Sequence, residues 1–221
     1  MLSNKERKLE RMTSGISDNI TANVYNLVLG ACVLYGLIMN AIIVATCGSF
    51  VSAMNPVVII VGYFISVILG TIISRSKSPV MSFIGYNFIA VPIGLLLSAS
   101  IPFYSYENIV VAFGITAAIV AIMIALSTTF PRFFLGIGRT LGITLLVTIL
   151  VEVVALLLGF GTGWIDFIVI GIFTLYVGFD WSRAQMYPKT IDNAVDSAID
   201  IYMDVINLFI RILSILGRSD D

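Results

Sequence analysis

From about residue 24 onward the sequence is an almost unbroken series of apolar stretches, each about as long as a membrane is thick, separated only by short groups of Gly, Pro, Ser and charge. A helix of roughly 20 apolar residues crosses about 30 Å of hydrocarbon. Inside hydrocarbon every backbone N–H and C=O must find its partner within the protein, which leaves helices or closed barrels as the only spanning forms. Stretches this long and uniformly apolar, without strict alternation, predict an all-α membrane protein. Composition agrees: 59% of the 221 residues are hydrophobic and 11% charged, with a mean hydropathy of +1.05. A chain of this length holds about six to eight spans and no sizeable soluble domain. The net charge of −1 says nothing about nucleic acid, but the lack of a dense basic run excludes it as a partner. There is no histidine, and Cys32 and Cys47 lie in one apolar segment, about 22 Å apart along a helix and too far to bridge. A zinc or iron centre therefore lacks its usual ligands.

Breaks at Gly48–Asn55, Ser74–Pro79, Ile101–Glu107, Phe130–Gly138, Phe160–Gly163 and Trp181–Lys189 delimit seven segments. The expected spans are 24–47, 56–74, 80–100, 108–129, 139–159, 163–180 and 191–215, forming a seven-transmembrane-helix bundle over residues 23–216. An N-terminal segment, 1–22, and a short tail, 217–221, flank it. The first apolar stretch is too long, and too far from the start, for a cleavable signal, so it is expected to remain as the first span. Pro92 and Gly94 predict a bend in the third span. Asn19-Ile20-Thr21 matches a glycosylation sequon, read here as chance, and no internal repeat is visible. Ten of the twelve cations fall at the N-terminus (Lys5, Arg7, Lys8, Arg11) or in alternate connections (Arg75, Lys77; Arg132, Arg139; Arg183, Lys189). Cations are retained on the cytoplasmic side, so the N-terminus is expected there. Seven full spans then put the C-terminus outside, whereas Arg211 and Arg218, at the far end of the last segment, would favour a cytoplasmic C-terminus if that segment were re-entrant.

Acids inside spans are the informative residues, because a charge at the bilayer centre costs about 2.5–3.5 kcal/mol even on the most lenient scale. Glu152, Asp180, Asp200 and Asp204 are the candidates. Asp192, Asp196, Asp200 and Asp204 recur every four residues and form one drifting helical stripe that Asn207 and Arg211 extend. Asp192 and Asp196 are expected in an interfacial first turn, where acids suit the helix dipole; Asp204 is too deep for that. Asp180 either pairs with Arg183 at a helix end or meets Asp204. Two carboxylates close together in a low dielectric cannot both ionise cheaply, so such a pair would respond to protons, and its oxygens would also suit Ca²⁺. Glu152 shows no evident neutralising partner and is expected to be protonated or on the path of an ion. Arg75 and Lys77 either set topology or supply a counter-charge to the acid pair. Gly136, Gly138 and Gly142 are read as a site of close helix packing. No nucleophile stands at motif spacing from a base, so an enzyme is not expected.

The segment Tyr176-Val177-Gly178-Phe179-Asp180, followed by Tyr202-Met203-Asp204-Val205-Ile206-Asn207-Leu208-Phe209, resembles the C-terminal signature of the Bax inhibitor family, also called the transmembrane Bax inhibitor motif family. The likeness is confined to roughly the last 40 residues and the region around Arg75 and Tyr86, while span number and loop layout agree throughout. The resemblance implies, for a bacterial member, a seven-span protein of the cytoplasmic membrane acting as a pH-sensitive calcium leak. Eukaryotic relatives lower calcium stores and suppress cell death. It places the family's aspartate pair on Asp180 and Asp204, with calcium contact expected there, and its arginine latch on Arg75. Asp200 and Glu152 are acids outside that shared pattern and, with Asn207, are expected on an ion path. The sequence departs from some members in having apolar or small residues around Phe64–Ser66, where they carry an acid. The expected function is a proton-gated cation leak with no cofactor and with the bilayer, protons and calcium as partners. Its rivals are a proton-coupled transporter of another solute and a non-transporting protein that modulates a membrane protease or a stress response.

Overall fold

A computed structural model describes residues 19–218, which form seven helices. They are α1 (Ala22–Ser52), α2 (Pro56–Ile73), α3 (Pro79–Ser100), α4 (Tyr106–Thr129), α5 (Pro131–Leu157), α6 (Ile165–Met186) and α7 (Ile191–Arg218). The first six are long and apolar enough to cross a membrane, and the protein is a multi-pass helical membrane protein. The N-terminal cations Lys5, Arg7, Lys8 and Arg11 and the last three residues lie outside the described residues.

Local chemistry sets the helix boundaries. Thr21, Asn55 and Ser105 accept hydrogen bonds from the open N–H groups of Val24, Val57 and Asn108. Thr21 of the sequon is thus the cap of α1. Pro56, Pro79 and Pro131 open α2, α3 and α5, where a missing N–H is harmless. Pro131 therefore starts α5 eight residues before the expected position, because Arg132–Gly138 continue the helix instead of breaking it. α5 ends in a Schellman motif: Gly159 takes φ +75°, Phe160 N–H donates to Ala155 O and Gly159 N–H to Leu156 O. At the other end of α6, Trp181–Gln185 also stay helical, since Ser182 and Ala184 are buried there. α3 runs through Pro92; the ring removes the bond to the Phe88 carbonyl, which instead accepts the Ser66 hydroxyl of α2 at 2.6 Å.

The chain divides into two compact units. The first contains α1, α2, α3 and the opening half of α7, to Tyr202. In it, α2 and α3 touch backbone to backbone at Gly70 and Gly85. Gly36 makes room for the rings of Tyr86 and Tyr202, which meet edge to face at 5.3 Å. The Tyr202 hydroxyl accepts from Asn40 Nδ2 at 2.5 Å, and the Tyr25 hydroxyl pairs with Ser197 Oγ at 3.0 Å. The second unit contains α4, α5, α6 to Gln185, and α7 from Met203. Its core joins Met123, Phe134, Val177 and Leu208, one from each helix. Gly138 packs on the Phe179 ring and Gly178 on Phe134, so close helix approach is real at Gly138. Gly136 has nothing near it and takes no part.

α7 is the helix that burial singles out. Ala194, Val195, Ala198, Ile199, Ile201, Tyr202, Val205, Ile206, Leu208, Ile212 and Leu213 are all buried, while α2 and α5 present large apolar side chains outward over most of their length. Surrounding helices therefore shield a segment too charged to insert alone. Its last turn packs Gly217 against Tyr104 and Arg218 against Gly163. Those residues precede α4 and α6, so within the second unit α7 runs antiparallel to α6, and α7 is one continuous helix.

Candidate functional site

In the second unit, Val177 of α6 and Leu208 of α7 share one core layer. The helices are antiparallel, so three residues forward from Val177 and four back from Leu208 both move about one turn in the same direction, 4.5 and 6 Å at about 1.5 Å per residue. That step reaches Asp180 and Asp204, at one level of the unit. Both are buried, with relative exposures of 7% and 4%. Tyr176, one turn before Asp180, has its hydroxyl within electrostatic reach of both carboxylates and of the Arg183 guanidinium. Arg183 pairs with Asp180 Oδ1 at 2.7 Å across one turn, and its guanidinium lies 5.1 Å over the Phe179 ring. That ring packs on Gly138. Trp181 Nε1 donates to Thr128 Oγ1 at 2.9 Å, and Ser182 Oγ donates to the Ser127 carbonyl at 3.3 Å. The end of α6 is thus fixed to α4 and α5 on both sides of Asp180.

The remaining predicted residues fall elsewhere. Arg75 is an exposed residue just past the end of α2. In that unit Ser82 Oγ lies 3.2 Å from the Ser74 carbonyl and donates to Asp192 Oδ1 at 2.9 Å, so Asp192 is tied to the turn that carries Arg75. Asp192 sits in the first turn of α7 as expected. Asp196 is buried, at 8% exposed, with the Tyr25 hydroxyl within its electrostatic reach. Asp200 is half-buried. Asn207 Nδ2 donates to the Met203 carbonyl of its own helix at 2.7 Å. Among the described residues no three His, Cys, Asp or Glu side chains gather as a metal centre would require.

Glu152 does have a neutralising partner, contrary to the reading from sequence. Arg211 Nη1 and Nη2 meet its Oε1 and Oε2 at 2.7 and 2.9 Å, a bidentate fork. Arg211 Nη1 also meets Asp166 Oδ1 at 2.5 Å. Asp166 Oδ2 takes Arg218 and, at 3.1 Å, the Ser214 hydroxyl. Two acids and two arginines form one compensated network at the end of α5, the start of α6 and the end of α7. Asp166 escaped notice because it stands in the first turn of the expected span 163–180, just past the Gly-rich connection, where an acid is ordinary. The available signal was the seven-residue spacing of Arg211 and Arg218, which puts two cations on one face of a helix and demands acids opposite.

A polytopic helical bundle that keeps carboxylates buried on its most enclosed helix defines a membrane protein whose interior, rather than its surface, carries its polar chemistry. Residues 18–221 match the family described as inhibitor of apoptosis-promoting Bax1. The chain belongs to the Bax inhibitor-1 family. No individually curated protein matches it.

Proposed function

We propose that the protein is a pH-sensitive leak for cations, calcium foremost, gated by Asp180 and Asp204 in the cytoplasmic membrane of a bacterium. The observation that carries this reading is the burial of both acids at one level of the second unit, around Tyr176 and beside Arg183. When Asp180 is ionised, Arg183 holds it; a proton on either acid weakens that hold and shifts the balance between closed and open arrangements of α7. Calcium is the passing ion and not a resident one. Two carboxylates supply part of the six to eight oxygens it prefers, and carbonyls and water complete the set in transit. Arg75 is the latch that answers the same acids from the end of α2, and Asp200 lies on the ion's path. Residues 1–22 face the cytoplasm, 23–216 make seven spans, and 217–221 emerge on the other side, as the distribution of cations supports.

Ca²⁺ uptake by liposomes containing the purified protein, followed from pH 5 to 8, tests the proposal. Wild type is expected to pass Ca²⁺ in a pH-dependent way, and Asp180→Asn and Asp204→Asn to lose that dependence. Folded wild type that passes no more Ca²⁺ than empty liposomes would overturn it.

A further inference from the structure

The Glu152–Arg211–Asp166–Arg218 network lies apart from the Asp180–Asp204 level, yet it acts on the same helix. Arg211 follows Asp204 by seven residues, about 700° of rotation, and so projects within about 20° of the same face, about 10.5 Å further along. Three fastenings hold that face: a two-bond fork to Glu152 on α5, a 2.5 Å bond to Asp166 on α6, and Arg218 returning to the second oxygen of Asp166. Asp166 is 6% exposed at its side chain and Glu152 19%, so both carboxylates are largely covered by protein. A single arginine bound to two different helices fixes rotation as well as height, which one contact could not do. Leu208, between the two levels, is fully buried among Met123, Phe134 and Val177 and supplies no polar direction of its own.

We propose that Arg211, held by Glu152 and Asp166, is a positioning residue for Asp204: the network sets the rotation of α7 so that Asp204 faces Tyr176 and Asp180. The proposal deepens the gating reading given above, and rests on it for the meaning of that orientation. Its test reads geometry directly. In a Cys32→Ser, Cys47→Ser background, Tyr176→Cys is paired either with Asp204→Cys or with Val205→Cys, about 100° away around the helix. Cross-linking by a short bismaleimide is then compared between the two pairs in the full-length protein in liposomes. With Arg211 intact the 204 pair is expected to dominate. Arg211→Gln is expected to lower the 204-to-205 ratio several-fold, Glu152→Gln to lower it in the same direction, and Arg211→Lys to preserve most of it. An unchanged ratio in both Arg211→Gln and Glu152→Gln overturns the proposal. If Arg211→Gln does not fold, Glu152→Gln, which leaves Asp166 and both arginines in place, decides alone. Absence of Ca²⁺ flux in wild type would reject the gating reading, whereas the cross-linking ratio would still judge the positioning.

Discussion

Replacing Gly85 by alanine probes the backbone-to-backbone contact of α2 and α3 in the first unit. A Cβ at this position would lie 2.6 Å from Ser74 N and 2.7 Å from Gly70 O, against 3.4 Å for the closest ordinary contacts. Both atoms are backbone, so no rotamer change relieves the clash, and α2 must move from α3 by about 0.8 Å, the difference between those distances. Overpacking of this kind costs about 1–3 kcal/mol, and the better helix propensity of alanine offsets about 1 kcal/mol. The net loss of up to about 2 kcal/mol corresponds to a melting temperature lower by up to about 8 °C in a protein of this size. Gly62, on the same helix α2, has nothing within 4 Å of its Cβ position. Gly62→Ala is therefore expected to melt at or slightly above wild type. The assay is the fraction of monodisperse protein remaining on gel filtration after heating in detergent, run on the three proteins together. If Gly85→Ala melts with Gly62→Ala, the reasoning fails, and the backbones do not meet at Gly70 and Gly85.

Arg211→Gln should cost about 3 kcal/mol of unfolding free energy, the lower end for a broken buried pair because the arginine side chain is 27% exposed. In a steric-trapping measurement Glu152→Gln with Arg211→Gln should lose less than the sum of the single variants, and strict additivity would count against the fork. Tyr202→Phe removes the partner of buried Asn40 Nδ2 and should cost about 1–3 kcal/mol by the same measurement; an unchanged stability would show that this bond contributes nothing. Lys189, in the connection between α6 and α7, has its amine pushed below the usual value of 10.5 by burial. Between its folded pKa and 10.5 the unfolded chain binds more protons, so stability should rise with pH through that window. Lys189→Met should lack that increment when the two proteins are unfolded side by side from pH 8 upward.

Much of this fold is legible in the sequence because the bilayer permits so few alternatives. All seven helices occur where apolar stretches stand between polar breaks. The boundary errors are of one kind: Gly48–Ser52, Arg132–Gly138 and Trp181–Gln185 look like loops by composition but continue helices, since proline at a first position starts a helix and small polar residues can be packed inside one. The last helix, with four aspartates, is acceptable only once its neighbours are counted, and burial of Ala194, Ala198 and Leu208 shows how it is enclosed. The acids themselves stand out in sequence by their cost, but their partners do not. Glu152 appears unpaired because Arg211 is 59 residues away along the chain, and Asp166 appears ordinary because it adjoins a glycine-rich turn. Pairings of this kind are tertiary facts, invisible to periodicity.

If Asp180 and Asp204 form one proton-responsive unit, neutralising both should do no more than neutralising either. The direct measurement is the pH dependence of Ca²⁺ flux in liposomes for wild type, Asp180→Asn, Asp204→Asn and the double variant, with helicity and monodispersity matched. The account predicts that each single variant flattens the profile and that the double variant is indistinguishable from the singles. Losses that add independently, or a pH profile that survives in the double variant, would contradict it.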